Sequence, residues 1–382
     1  MCMKKILYIT TVSRTINAFL VPHIEMLLEN GYKVDCACSI DKEVDSSLIE
    51  KGVKVFNISF CRNPLSIGNL KAFRQLIKIQ KENNYDIVHV HTPIASIYGR
   101  LLKLKFRQLK TIYTAHGYHF LKGGPKSGWI LYYPIEKIMA KLTDITININ
   151  KEDYKITREK LKPKQCYLVN GVGLDLNKYK PLDKERQKQK REELGLAEDD
   201  FVVIMIAELN ENKNQIQLIK AMEILKDKYP NIKAISVGEG NKFEELQQEI
   251  NNRGLKDNFR LLGFRSDVNE LINISNIGVL LSYREGLPRN IMELMANGKK
   301  IIATNIRGSK DLISNDSIGK LIAVNDFENT AKAIKYYYNR QANAEFDMEN
   351  SNDEAIIKNT IKDYAIENIN KEMLEIYKKI TG

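Results

Sequence analysis

Nowhere in the sequence do about 18 apolar residues run together, so no transmembrane helix is expected. The opening stretch, MCMKKILYITTV, is short, strand-like and without a small-residue cleavage site. No secretory signal is expected, and with Cys2 so near the start no lipoprotein leader is expected either. Cysteine is scarce: five, at 2, 36, 38, 61 and 166, with a single C-x-C and no second pair, which is not a zinc-ligand spacing. An odd number without an export signal reads as a reduced, cytoplasmic thiol inventory. Proline (9) and glycine (21) are few among 382 residues; with 43% hydrophobic and 28% charged residues, this argues against fibrous repeats and wholesale disorder. No D-x-D carboxylate pair occurs, which argues against a metal-dependent nucleotide-sugar site of the single-domain type. No G-x-x-x-x-G-K-[ST] loop and no G-x-S-x-G elbow occur, which argues against a P-loop NTPase and an α/β hydrolase.

What is present is charge, unevenly placed. Residues 1–180 carry a net charge of +14 and residues 181–382 a net of −3. The basic half implies an anionic surface or ligand; nucleic acid and anionic lipid headgroups both satisfy that condition. Strand and helix signals alternate through it: KKILYIT, then FLVPHIEMLLENG closed by Gly31, then YKVDCACSI, VKVFNISF, the amphipathic NLKAFRQLIKIQKENN, and the strands YDIVHVHT, TIYTAHG, DITININ and CYLVNGV. After the polar stretch PLDKERQKQKREELGLAEDD the alternation restarts, from FVVIMIAEL to KIIATNI. Such alternation predicts two α/β domains, each a doubly wound parallel sheet, with a boundary near residues 176–200. The domains are set at 1–180 and 181–360, followed by a helix over 361–382. Facing domains of this kind enclose a central cleft at the carboxyl ends of their strands, so chemistry is sought in the loops after strands.

The most informative loop lies in IGVLLSYREGLPRNIMELMANG, residues 277–298. A strand ends there at Glu285 and Gly286. Pro288 suits a first helical turn and Asn297-Gly298 its end. The amides near Arg289 and Asn290 then form an anion site, which a diphosphate fits. Glu285 and Glu293 are suited to accept hydrogen bonds from sugar or ribose hydroxyls. Lys213, in AELNENKNQ, stands before a helix where it can neutralise a phosphate. Gly238, in SVGEGNKF, permits close backbone approach, although the third glycine of a dinucleotide fingerprint is missing. Arg265, in LLGFRSDVNEL, follows a strand and suits a base or phosphate pocket. In YTAHGYHF, His116 stands at a strand's carboxyl end as a hydrogen-bond donor, whereas His23, His89, His91 and His119 read as structural. These histidines lack the acidic partners of a metal site, so no metal is expected.

Glu285 and Glu293, with seven residues between them, resemble the E-x7-E signature of retaining glycosyltransferases of family 4. TAHGYHF, NGVGLDLNKY, AELNENKN and VGEG occur in that family's order, and the likeness covers nearly the whole chain. TAHGYHF with ELNENKN looks most like the subgroup that builds bacterial capsular and exopolysaccharide repeat units. The resemblance implies a GT-B fold, in which the first domain binds acceptor, the second binds the nucleotide sugar, and the last helix packs back on the first. It implies a metal-independent transfer, without a cofactor, of a hexose or N-acetylhexosamine from a donor that by family habit is a UDP-sugar. The acceptor implied is a polyprenyl-diphosphate-linked saccharide. By the same resemblance Glu285 contacts donor-sugar hydroxyls, Glu293 the ribose, Lys213 the diphosphate, and His116 lies beside the sugar. Leu287, Pro288, Arg289 and Asn290 hold sugar and phosphate through backbone amides, Gly238 borders the nucleotide, and Arg265 its base or phosphate edge. Two positions depart from the pattern: Glu208 replaces a common arginine five residues before Lys213, and TTVSRTIN replaces the usual glycine pair after the first strand. GRLLKLKFRQLK, with Arg100, Lys103, Lys105, Arg107 and Lys110, suits an anionic membrane surface, implying peripheral association with the inner face of the cell membrane. The competing readings are a nucleotide-sugar epimerase or hydrolase of the same fold, and a nucleic-acid-binding protein. The last lacks interleaved aromatic and basic residues or any recognised module, so no nucleic-acid partner is expected.

Overall fold

The computed structural model describes residues 3–61, 66–121, 124, 126–341 and 346–381, with backbone only for 346–351. The chain forms two compact units: one runs up to Gly173 and resumes at Ile366, the other spans Leu174–Ala365.

The first unit is built on seven parallel strands: β1 (Lys5–Val12), β2 (Lys33–Ser39), β3 (Val55–Asn57), β4 (Ile87–His91), β5 (Lys110–Ala115), β6 (Ile145–Asn148) and β7 (Gln165–Leu168), in spatial order β3-β2-β1-β4-β5-β6-β7. Their apolar runs are buried on both faces, as parallel strands require: Ile6, Tyr8, Ile87, Ile112 and Ile145 face one core, and Leu7, Ile9, Val88, Val90 and Tyr113 the other. The helix Ile366–Thr381 packs Ile369, Met373, Ile376 and Tyr377 into the first of these cores.

The second unit carries β8 (Phe201–Ile206), β9 (Ile232–Val237), β10 (Phe259–Leu261), β11 (Ile277–Leu280), β12 (Lys300–Thr304) and β13 (Gly319–Ile322), all parallel, in order β10-β9-β8-β11-β12-β13. Both units are therefore doubly wound α/β sheets. Strand order reverses between β1 and β4 and again between β8 and β11. Loops leaving such a pair diverge to opposite faces and open a crevice beyond the strand ends.

The polar stretch at the boundary forms a helix, Lys184–Glu193. Asp183 caps it, accepting from the Arg186 amide (2.7 Å), while Arg186 grips Glu270 and Lys190 reaches Asp267 (2.8 Å). Charge pairing across sequence, not an apolar stripe, holds this element down.

Two residues of the basic segment are not available to a membrane. Arg100 is 1% exposed, its guanidinium gripping Glu136 in fork geometry (2.9 and 3.1 Å) beneath the Tyr113 ring; Lys103 is paired with Asp144. Lys105, Arg107 and Lys110 are exposed. The apolar spacing Leu101, Leu102, Leu104 forms one helix with Pro93–Lys105, and that helix turns Arg100 inward.

Candidate functional site

In the second unit the two loops at the strand reversal are stitched together by asparagines. After β8, Asn210 caps a short turn, accepting from the Lys213 amide (3.2 Å), and Asn214 adopts the left-handed conformation (φ 54°) that Asn tolerates. Asn214 Nδ2 donates to the Leu281 carbonyl (3.3 Å) at the end of β11. Asn212 accepts from the Tyr283 amide through its backbone oxygen (2.8 Å) and donates to the Arg284 carbonyl through Nδ2 (3.0 Å). The loop after β8 is thereby fixed against the loop after β11, and Lys213 Nζ lies 2.6 Å from Glu285 Oε1. Arg307, after β12, supports the other side by donating to the Glu285 carbonyl (2.9 Å).

Beyond Glu285 the chain turns into the helix Arg289–Ala296. Pro288 occupies its N-cap in an extended conformation and supplies no side-chain acceptor, so the first-turn amides lie outside the helix's own backbone ladder. Asn290 is fixed by donating to the Ile206 carbonyl (2.6 Å) at the end of β8, and its Oδ1 accepts from the Ile291 amide (2.9 Å). Leu287 is partly buried and packs against the core of this unit. Gly308, at φ 79°, presses on the same turn: a Cβ there would penetrate the Gly286 carbonyl and stand 3.1 Å from Leu287 Cα. Glu293, one turn on from Arg289, accepts from the Tyr179 hydroxyl (2.9 Å) and pairs with Arg289 Nε (3.3 Å). Burial pushes its carboxyl pKa up, opposed by those two partners.

Lys213, Glu285, Leu287, Pro288, Arg289, Asn290 and Glu293 are thus gathered at one end of one sheet. Gly238 stands at the end of the adjacent β9 with φ 144°; a Cβ there would collide with the Ala207 carbonyl, so only glycine lets the loop after β9 lie along the loop after β8. Arg265 behaves differently. Its Nε and Nη2 are committed to Asp267 (2.8 and 2.6 Å) and Nη2 to Glu193 (3.1 Å), which drives the Asp267 carboxyl well below the usual range. Glu208 is exposed, and its carbonyl accepts from Gln215 Nε2 (2.9 Å).

Tyr179, Asn212 and Arg307 belong to this constellation although spacing did not single them out. Arg307 had a legible signal, an Arg-Gly in the loop just after the strand KIIAT, as Glu285-Gly286 stands in the loop after β11.

In the first unit His116 follows β5 and shares a hydrogen bond with His91 at the end of β4 (Nε2 to Nδ1, 3.0 Å). Burial lowers the His116 pKa to about 4, so its ring is neutral near pH 7. His89, beside it, is held by Thr114 (2.8 Å) and Tyr377 (2.5 Å), and His23 by Asn370 (2.8 Å). The exposed His119 stacks on Tyr132. The loop after β1 is fastened by Ser13, whose hydroxyl donates to the Lys42 carbonyl (2.6 Å), while Arg14 pairs with Asp41 (2.6 Å).

The glycosyl transferases group 1 family profile matches residues 186–362, and the glycosyl transferase 4-like profile residues 5–150. EpsD of Bacillus subtilis (strain 168), described as a glycosyltransferase, is 36% identical over 88% of this chain and 88% of its own. The UDP-Gal:alpha-D-GlcNAc-diphosphoundecaprenol alpha-1,3-galactosyltransferase of Escherichia coli is 29% identical over 81% of each chain. Among solved structures, Anabaena HepE in complex with UDP and glucose superposes with a TM-score of 0.79 at 20% identity, covering 98% of this chain and 100% of that one.

Proposed function

The chain belongs to the group 1 glycosyltransferases, and from that premise we propose that it moves a hexose or N-acetylhexosamine from a UDP-linked donor to a polyprenyl-diphosphate-linked saccharide in bacterial surface polysaccharide biosynthesis. The observation that carries this reading is the Lys213–Glu285 pair (2.6 Å) beside the uncapped helix turn at Pro288. A cation and converging amides suit the donor's diphosphate; a carboxylate against them suits the sugar hydroxyls, which are donors. Glu293, with Tyr179, is placed to accept from ribose hydroxyls. The lipid-linked acceptor and UDP carrier are supported by the name of the Escherichia coli relative.

We read the transfer as retaining and metal-independent. The bond from the anomeric carbon to the diphosphate oxygen breaks while the acceptor oxygen bonds the same face, and the acceptor proton passes to the departing diphosphate. Lys213 and the amides of Leu287 to Asn290 stabilise the charge that develops there, and His116 donates to a sugar oxygen. The deciding experiment incubates the protein with a panel of nucleotide sugars, with and without a lipid-diphosphate saccharide. Nucleotide release that requires acceptor supports transfer; release without acceptor marks a hydrolase, and a changed sugar without release marks an epimerase.

We place the enzyme in the cytoplasm, docked peripherally on an anionic bilayer by its first unit. The helix Lys126–Ala140 leaves Ile130 (76% exposed), Leu131 and Ile138 in solvent, with Lys126 and Lys141 at its ends and Lys105 and Arg107 exposed elsewhere on this unit. Among the described residues no helix is long and apolar enough to cross a membrane. Cosedimentation with phosphatidylglycerol vesicles should weaken as salt rises and fall in an Ile130→Ser, Leu131→Ser variant. Binding indifferent to both would remove the membrane reading and leave the transferase reading intact.

A further inference from the structure

His91 and His116 hold a tautomeric relation that the fold decides. Their strands are neighbours, with His91 opposite Thr114 in the register of β4 and β5, and the rings meet at 3.0 Å between His91 Nδ1 and His116 Nε2. Burial lowers the pKa of both rings, so both are neutral near pH 7. Between two neutral imidazoles one nitrogen donates and the other accepts.

The far nitrogen of His91 settles which. His91 is 2% exposed, with its ring stacked on Tyr8 (centroids 5.4 Å apart) and against His89 (4.2 Å). Its Nε2 is buried and meets no hydrogen-bond partner among the described residues. A proton there would be a buried donor left unmade, at a cost of about 1–3 kcal/mol; a bare lone pair is the lesser penalty. The His91 proton therefore sits on Nδ1 and points at His116 Nε2. His116 Nε2 is then an acceptor, and the His116 proton sits on Nδ1. The His116 ring is only partly buried, and its Nδ1 is not among the buried nitrogens without a partner.

We propose that His91 is a positioning residue that locks His116 in the Nδ1–H tautomer, so that His116 offers a donor of fixed direction to an oxygen of the sugar being transferred. The role in transfer rests on the function proposed above; the tautomer does not, and can be read without substrate.

The test is a two-bond proton–nitrogen correlation spectrum of the full chain labelled with nitrogen-15 histidine near pH 7.5, with His116 assigned by its loss in His116→Gln. The wild type should show the Nδ1–H pattern for His116. In His91→Phe, Nε2 is freed from accepting and should take the proton, and kcat should fall about tenfold, the worth of one ordinary hydrogen bond, with the donor KM unchanged. In His91→Asn, whose amide stands near the position of Nδ1 and can donate, both the Nδ1–H pattern and kcat should return. An Nε2–H pattern for wild-type His116 overturns the proposal whatever the turnover, and so does a tautomer change in His91→Phe that leaves kcat untouched. If no nucleotide sugar is consumed by the wild type, the proposed function fails, and the spectrum still decides the tautomer.

Discussion

Lys213 and Glu285 sit 72 residues apart in sequence and 2.6 Å apart in space, held by backbone contacts through Asn212 rather than by each other. Removing either side chain should leave the loops in place and the charge pattern broken. Lys213→Ala and Glu285→Ala are each expected to lower turnover by roughly 10²–10³, the range seen when one preorganised group facing developing charge is deleted, while thermal unfolding shifts little. Near-wild-type rates in both variants would remove the assigned chemistry. Lys213, Glu285, Glu293 and Pro288 were legible because each stands in a fixed relation to a strand end or helix start that local pattern reveals. Tyr179 was not: it meets Glu293 across 114 residues, and no local periodicity encodes such a meeting. Arg265 shows the converse. Its place after a strand suggested a ligand contact, but Asp267, two residues on, holds its guanidinium first.

Among the elements, the parallel strands were the easiest to read, because burial on both faces demands nearly unbroken apolar runs such as FVVIMI and IVHVH. The helix Lys184–Glu193 was hidden for the opposite reason. It has almost no apolar stripe, and its stability comes from a cap and ion pairs with Asp267 and Glu270 that lie far along the chain. The segment around Arg100 misled because charge in a sequence does not reveal whether a partner waits inside; Glu136, on another helix, is that partner. The turn at Gly286–Leu287 depends on an element supplied later, the tight bend at Gly308. Gly308→Ala must relieve both a collision with the Gly286 carbonyl and an unfavourable φ, a cost of about 1–3 kcal/mol. The expected outcome is a shifted turn: donor KM rises and kcat falls, with a few degrees lost in Tm. Unaltered donor KM would show that the bend does not set this loop.

For the molecule as a whole, all five histidines lie before residue 120, so the second unit holds none. His23, His89, His91 and His116 have pKa values below the ordinary 6.5, in each case chiefly through burial, with His116 at about 4. A lowered folded-state value means the unfolded chain takes up protons first. The stability these rings contribute is present above pH 6.5 and is lost as pH falls toward the folded values, with a slope of up to about 1.4 kcal/mol per pH unit for each ring. In the second unit the raised Glu293 carboxyl acts in the opposite sense. Trp129, the single tryptophan, lies in the first unit, so its fluorescence isolates that unit. Its unfolding midpoint should drop steeply between pH 6.5 and 4.5, further than the unfolding of the second unit followed by circular dichroism. A fluorescence midpoint constant across that interval would refute the assignment.

The route of the backbone has a further effect. The first unit opens the chain, yet its sheet is closed by Tyr377, whose hydroxyl bridges Tyr8 (2.9 Å) and His89 (2.5 Å) from the last helix. A ribosome therefore delivers every residue of the second lobe before it delivers the helix that finishes the first. The half made earliest is the half completed last, and a chain cut short just before Ile366 would hold a whole second unit joined to an unfinished first one, exposed to proteases at its amino-terminal end.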